Sequence, residues 1–358
     1  MMTAMMTAER LNELLESFPS RRVAVVGDYC LDKYLEFDPA LAEISLETGR
    51  LANQVVGVRH SPGAAGNVVG NLVALGAGEV IPVGFTGDDG EGFDLRKDLR
   101  DLGCGTGYLL QVPERRTPTY LKPRDCHVQE LDGESERFDI KNREHLPAEV
   151  EDALVDILEA LVTQVDALVI ADQVGEPDCG VITAGVRDTL GRLAQEFPEV
   201  VFWADSRRRI GLFHNIIIKP NQEEAVNAAF LGREVRMDYD TVLSAGRVLR
   251  VRSGKPVFLT RGGRGILVFE DDGWEEVPAV YVEGPIDPTG SGDSATAAAV
   301  LSLASGSIPV EAALVANLCA SITIQQLGTT GAATPDQLPS RLELWHSQME
   351  KSRSRGNL

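Results

Sequence analysis

Residues 284–300, GPIDPTGSGDSATAAAV, set three glycines and two aspartates directly before a run of small helix formers. Gly290 and Gly292 let the backbone turn so that the amides of residues 290–293 converge. The helix continued by SATAAAVLSLA (294–304) turns its positive end to the same point. The expectation is an anion hole with a carboxylate, Asp293, at its mouth. Held there, Asp293 can take a proton from an acceptor hydroxyl while the Gly290, Ser291 and Gly292 amides receive the charge of a transferring phosphoryl group. The plainer reading is an aspartate that caps its helix.

Outward from this stretch the chain alternates. RVAVVGD (22–28), DALVIAD (166–172), VVFWADS (200–206), NIIIKPN (215–221) and PVFLTRGG (256–263) are short β-branched runs that stop at Asp, Asn or Gly. They read as buried parallel strands. AEVEDALVDILEALVTQ (148–164) and DCGVITAGVRDTLGRLAQEF (178–197) carry helical spacing between them. The predicted fold is α/β, a doubly wound and mainly parallel sheet with helices on both faces. Ligands of such a sheet bind beyond the carboxyl ends of its strands, where Asp28, Asp32, Asp172, Asp205, Asn221, Glu224 and Thr260 collect. Asp172 is thereby a candidate substrate contact. Two segments break the alternation, about 33–58 and 106–140, and are expected to form a small β-sheet lid over the site. With no repeat or linker in the sequence, residues 1–358 are taken as one domain.

The 358 residues, 43% hydrophobic and 25% charged, are enough for a large core, and a leading helix is expected over Thr7–Phe18. The segment EKSRSRGNL (350–358) reads as a frayed tail. A formal charge of −20 argues against nucleic-acid or membrane-surface binding, so an anionic substrate must be met by local basic groups. Cysteines 30, 104, 126, 179 and 319 show no zinc or CxxC spacing, which suits reduced core thiols in the cytoplasm. No run is long enough for a membrane span, and MMTAMMTAER lacks the pattern of a signal peptide.

Other motifs bear on the same chemistry. Asn221 and Glu224, three residues apart beyond a strand, could hold water around a hard divalent cation that bridges nucleotide phosphates. The same spacing is that of a capping box. FLTRGGRGILVF (258–269) supplies Thr260, Gly262 and Gly265 as a nucleotide wall or as a hairpin turn.

The order of these motifs resembles the ribokinase (PfkB) family of carbohydrate kinases over about residues 20–340. The resemblance rests on the strand with Asp32, SPGAAGNVVGNLVALG (61–76), KPNQEEA (219–225), LTRGGRG (259–265), DPTGSGD (287–293) and NLCASITIQQLGT (317–329). It implies a ribokinase-like fold and phosphoryl transfer from ATP, with Asp293 as base and Asn221 and Glu224 organising Mg2+. It further implies that Asp32 and the loop Gly63–Asn67 grip sugar hydroxyls, and that Asn317 lies on the adenine side. Asp287 and Thr289 would flank a monovalent cation such as K+, and lid strands of the family often pair across a homodimer. The loop departs from the usual double glycine by reading Pro62-Gly63.

Within the family, VVGDYCLDKYL (25–35), TPTYLKPR (117–124) and QQLGTTGAATPDQL (325–338) look most like bacterial kinases of heptose 7-phosphate. Lys122, Arg124 and the basic run SRRR (206–209), with Arg207 foremost, would then meet the acceptor's phosphate. Asp205-Ser206-Arg207 stands where those kinases tend to have Asp-Pro-Lys, and Gln173 where they show Tyr. No HxGH-type nucleotidyltransferase motif is appended, so the expected activity is phosphoryl transfer alone. A kinase of a neutral sugar or nucleoside, and a catalytically silent sensor of the same fold, are the alternatives.

Overall fold

The computed structural model describes residues 6–128, 133–231, 235–328 and 330–354. The chain opens with α1 (Ala8–Ser17), capped by Thr7, whose Oγ1 accepts the Arg10 amide at 3.1 Å. Then come β1 (Arg22–Gly27), β2 (Tyr29–Ile44), β3 (Leu51–Ala64), α2 (Ala65–Ala74), β4 (Glu79–Gly87), α3 (Gly90–Asp101), β5 (Leu109–Val112), β6 (Thr119–Asp125) and β7 (Phe138–Ile140). Next are α4 (Ala148–Leu161), β8 (Ala167–Asp172), α5 (Ala184–Glu196), β9 (Val201–Ser206), β10 (Ile217–Ile218), α6 (Gln222–Ala229) and α7 (Tyr239–Ser253). The hairpin strands β11 (Val257–Thr260), β12 (Ile266–Glu270) and β13 (Gly273–Val277) lead to α8 (Ser291–Ala304), α9 (Pro309–Thr323) and α10 (Leu338–Ser354).

A nine-stranded sheet runs β13-β12-β11-β10-β9-β8-β1-β4-β5. It is parallel from β5 to β11 and antiparallel only at the β11-β12-β13 edge. Successive side chains of a strand point to opposite faces, so its interior strands feed two cores. In β1, Val23 and Val25 pack with α1, α2, α8 and α9, whereas Ala24 and Val26 pack with α4, α5 and α7. The chain leaves β1 toward β4 on one side and β8 on the other, a topological switch point that opens a crevice at the strand ends. Helix α8 is buried almost all round from Ser294 to Ser302, which its Ala, Ser and Thr side chains permit by letting α2 and α9 approach closely.

The second sheet has the order β3-β2-β6-β7. Its long β2–β3 hairpin starts at Tyr29 and closes at Ala64, beyond both ends of the expected 33–58 segment. Of the expected 106–140 segment, β5 belongs to the large sheet instead, because Leu109 and Val112 are buried against β4. Three further expectations are corrected. The helix read from residue 178 starts at Ala184: Asp178 has φ +53°, Gly180 is pressed onto Asp28, and Thr183 caps the first turn. The strand read over 215–221 shrinks to two residues, with Asn215 at φ +61° before it and Pro220 after it. The tail read from Glu350 continues α10 to Ser354, and its last four residues lie outside the described ones. Cys30, Cys104, Cys179 and Cys319 are buried as core thiols, but Cys126 is exposed. Among the described residues no helix is long and apolar enough to cross a membrane.

Candidate active site

At the head of α8, Gly290 adopts φ +77°, a left-handed conformation that a side chain would strain. Four amides do not converge as expected. Ser291 N donates to Pro288 O and Asp293 N to Gly290 O, each at 3.1 Å, because the first turn is wound tightly. The Gly290 and Gly292 amides have no backbone acceptor among the described residues, so of the four expected only these two are left to face an anion. A cavity of about 530 Å³ opens over them, bounded by Asp205, Lys219, Asn221, Glu224 and Thr260.

Asp293 projects into this cavity. Although it stays partly exposed through the mouth, the protein packed around it withdraws water, and Asp205 adds a like charge. Together they push its carboxyl up to about 7, against the pull of Lys219, the Asn67 amide and Arg207. A carboxylate poised there is matched to proton abstraction near neutral pH. The sequence reading passed over Lys219, which directly precedes Pro220 and Asn221. Its Nζ lies 2.8 Å from Asp205 Oδ2, beside Gly292, where a β-carbon would come within 3.6 Å of it. Burial alone would depress the Lys219 ammonium, but Asp205 outweighs it and the group is held above its ordinary value.

Asn221 and Glu224 form the capping box of α6: Glu224 N donates to Asn221 Oδ1 at 2.9 Å and Asn221 N to Glu224 Oε2 at 2.8 Å. Both sequence readings meet here, since Oε1 of Glu224 takes no part in the box. Burial, followed by Asp205, raises the Glu224 carboxyl. Hard oxygen donors whose charge is this poorly solvated fit a hydrated divalent cation held through water. Thr260 lines the same cavity at the end of β11, with Gly262 at φ +55° in the turn beyond it. Gly265 acts elsewhere, since a β-carbon there would strike Val277 and Pro278, and its absence admits the end of β13 and the chain just beyond it.

Around the passage from β3 into α2 the structure places Asp32, Gly63, Asn67 and Lys122, the residues expected to meet the substrate. Asp32 is buried and ion-paired to Lys122 at 3.0 Å, and Lys122 also donates to the Tyr34 hydroxyl at 3.2 Å. A β-carbon on Gly63 would lie 2.6 Å from Asp32 Oδ2 and 2.7 Å from Cys30 Sγ, so only glycine lets the carboxylate rest against this strand. The strand leads through Ala64 into α2, which carries Asn67 to Asp293.

A second cavity, of about 490 Å³, lies in the crevice between β1 and β8, with Tyr120, Lys141, Asn142, Arg207 and Arg208 on its wall. It shares Gln173 and Arg207 with the first. Asp28 supports its floor by accepting the amides of Gln173, Val174 and Val181, each at 2.8 Å. Burial and the nearby Asp172 push the Asp28 carboxyl up to about 6.

Three expected contacts are redirected. Asp172 is 2% exposed and its oxygens are taken by Ser206 at 2.5 Å and Arg209 at 2.6 Å, so it anchors Arg209 and does not face a substrate. Arg124 donates to the Val128 carbonyl at 3.0 Å, turning along the small sheet. Asn317 is buried and donates to the Val277 and Pro278 carbonyls at 2.9 and 3.2 Å, which fixes α9 against the chain after β13 and occupies its amide. Asp287 accepts the Thr289 amide at 3.0 Å and the Gly328 amide at 3.2 Å, tying the DPTG turn to the end of α9. Burial would raise its carboxyl, but the Thr289 hydrogen bonds and the Gly328 amide outweigh it and hold it low.

A family model described as pfkB family carbohydrate kinase matches residues 21–337. The bifunctional protein HldE of Desulfatibacillum aliphaticivorans is 30% identical over 333 residues, which cover 91% of this chain and 64% of that protein. The HldE of Pelobacter propionicus is 29% identical over 351 residues, 96% of this chain and 68% of that protein. The chain therefore spans only part of these relatives' length. Among solved structures, Escherichia coli phosphofructokinase-2 in complex with potassium aligns with TM-score 0.67 at 18% identity, covering 91% of this chain and 99% of that one. Arabidopsis thaliana ribokinase complexed with ribose and ATP aligns with TM-score 0.63 at 18% identity, covering 91% and 98%. These likenesses establish the ribokinase-like fold. With the family model running from the start of β1 to the foot of α10, the chain belongs to the pfkB family of carbohydrate kinases.

Proposed function

We propose that this chain transfers the γ-phosphoryl group of ATP to a hydroxyl of a sugar that already carries a phosphate, of the heptose 7-phosphate kind. The observation that carries the reading is Asp293. A carboxyl raised to about 7 stands at the head of α8, beside two unpaired amides and within reach of Asn67 on the acceptor side. Asp293 takes the acceptor's proton as its oxygen attacks. The Gly290 and Gly292 amides and the Lys219 ammonium then face the oxygens of the transferring group. Glu224 and Asn221 would hold Mg2+ through water, which supplies charge neutralisation between the nucleotide phosphates. Asp32, ion-paired to Lys122, accepts hydrogen bonds from sugar hydroxyls.

For the acceptor's phosphate the geometry favours Arg207 and Arg208 of the basic run, joined by Lys141, over Lys122 and Arg124. Lys122 is committed to Asp32, while these three line the second cavity. The likeness of residues 25–35, 117–124 and 325–338 to heptose 7-phosphate kinases supports a phosphorylated heptose as acceptor. The small sheet exposes Leu51, Val55, Val56, Val58 and Phe138, each more than 45% accessible, which supports a homodimer through the lid. A monovalent cation beside Asp287 and Thr289 belongs to the same reading. ADP release measured over a panel of phosphorylated and free sugars tests it: activity on a heptose 7-phosphate well above that on free sugars is expected. The reverse order would transfer the assignment to a neutral-sugar kinase.

A further inference from the structure

The geometry points to a site for a thiophilic divalent cation of the zinc class where β6 ends beside β2 in the small sheet, held by Asp38, Cys126 and His127 with water as the fourth ligand. One ligand atom from each of the three residues lies within 4.8 Å of the others. Asp38 Oδ1 and His127 Nε2 are 3.0 Å apart. On a tetrahedral zinc ion with Zn–N and Zn–O of about 2.0 Å and Zn–S of about 2.3 Å, ligand atoms stand about 3.3–3.6 Å from one another, so small side-chain rotations suffice.

Backbone pairing holds the trio in place. β2 and β6 run parallel with Phe37 opposite Asp125, and the next step sets Cys126 beside Asp38. The Cys126 amide donates to the Phe37 carbonyl at 3.0 Å, and the His127 amide to Asp125 Oδ1 at 2.9 Å. The ligands thus come from β2 and from the turn that directly follows its neighbour β6, and the register of the two strands is fixed before any ion arrives, which lowers the ordering cost of binding. Glu36 on β2 and Asp125 on β6 add further carboxylates to the two strands that lead to the site, although Glu36 is shared with Arg59. A thiolate and an imidazole beside one carboxylate select zinc-like ions over magnesium, which prefers oxygen donors throughout. Binding releases the thiol proton and the His127–Asp38 hydrogen bond is replaced by two bonds to the metal. The ion then fastens β2 to the turn after β6.

Cobalt(II) is the probe, added to the full chain after treatment with EDTA and under a reductant free of thiols. The expected result is a thiolate-to-cobalt charge-transfer band that saturates at one equivalent per chain, with the visible bands of four-coordinate cobalt, both abolished by Zn2+. Among the cysteines Cys126 alone is exposed, so Cys126→Ser removes the charge-transfer band while its far-ultraviolet circular dichroism matches wild type. Asp38→Asn and His127→Ala weaken cobalt binding by about ten-fold or more, since loss even of a residue behind the ligands costs that much. A wild-type protein without the band, or a band that persists in Cys126→Ser, overturns the site. Cobalt bound near Glu224 gives no thiolate band and leaves the two outcomes distinct.

Discussion

Replacing Asp293 by Asn keeps the side chain's shape and removes its capacity to accept a proton, so stability and turnover should move in opposite directions. The folded carboxyl titrates at about 7 against an ordinary 3.8. That separation of about three pH units corresponds to about 4 kcal/mol at 1.36 kcal/mol per unit. Because Asp293 is partly exposed through the cavity mouth, water screens this cost, and about 2 kcal/mol is the value to expect. The sign follows from linkage. Below about pH 4 the carboxyl is protonated both folded and unfolded and costs nothing. As pH rises to about 7 the unfolded chain ionises first, wild-type stability falls, and above 7 the deficit is constant. The Asp293→Asn variant carries no such deficit. Melting curves at pH 5, 6, 7 and 8 should show the variant's advantage growing with pH to about 4 °C, taking about 2 °C per kcal/mol for a chain of this length. Turnover should follow the opposite course. Wild-type kcat/KM rises with pH to a plateau with its midpoint near 7, and the variant loses about 10²–10⁴-fold. A variant that keeps near-normal turnover would refute the assignment of the base, and one that melts lower than wild type at pH 8 would refute the poorly solvated, like-charged environment of Asp293.

Glu224→Gln should preserve the capping box and the melting temperature, since Gln serves equally at that position, yet shift the magnesium titration of activity to higher concentration. A titration that overlays wild type would leave Glu224 as a helix cap and nothing more. Arg208→Ala and Lys141→Ala should each raise the acceptor's KM about ten-fold, the loss of a charge-assisted contact of about 1.5 kcal/mol, and flatten its dependence on salt. Unchanged acceptor KM values in both would move the phosphate elsewhere. Lys122→Ala leaves Asp32 buried without its cation and should cost about 3 kcal/mol in denaturant unfolding; a cost below about 1 kcal/mol would mean that Asp32 finds water in place of Lys122.

The alternation of Val, Ile and Phe runs with helical stretches was enough to read the large sheet and its two helical layers, because burial on both faces leaves a plain apolar signature. β4 escaped notice for a physical reason: Pro82 and Gly84 interrupt a strand that is nevertheless paired on both sides, between β1 and β5. Asp293 was legible because the glycines around it announce a turn into a helix. The tight first turn was not, since whether an amide points outward or bonds inward depends on one dihedral angle. Asp172 and Asn317 show the limit from the other side. Polar residues at strand ends and on helices advertise chemistry equally well whether they meet a ligand or a neighbouring carbonyl. Only the position of Arg209, beside Asp172, and of Pro278, beside Asn317, decides between the two.

Arg207 and Gln173 stand in the wall of both cavities. A side chain common to two compartments makes their occupants thermodynamic partners. Whatever factor nucleotide binding applies to acceptor affinity by drawing Arg207 toward one chamber, the acceptor must return to the nucleotide. On the proposed assignment of nucleotide and acceptor to these two cavities, their affinities measured separately should differ from those measured together, by the same ratio whichever is added first.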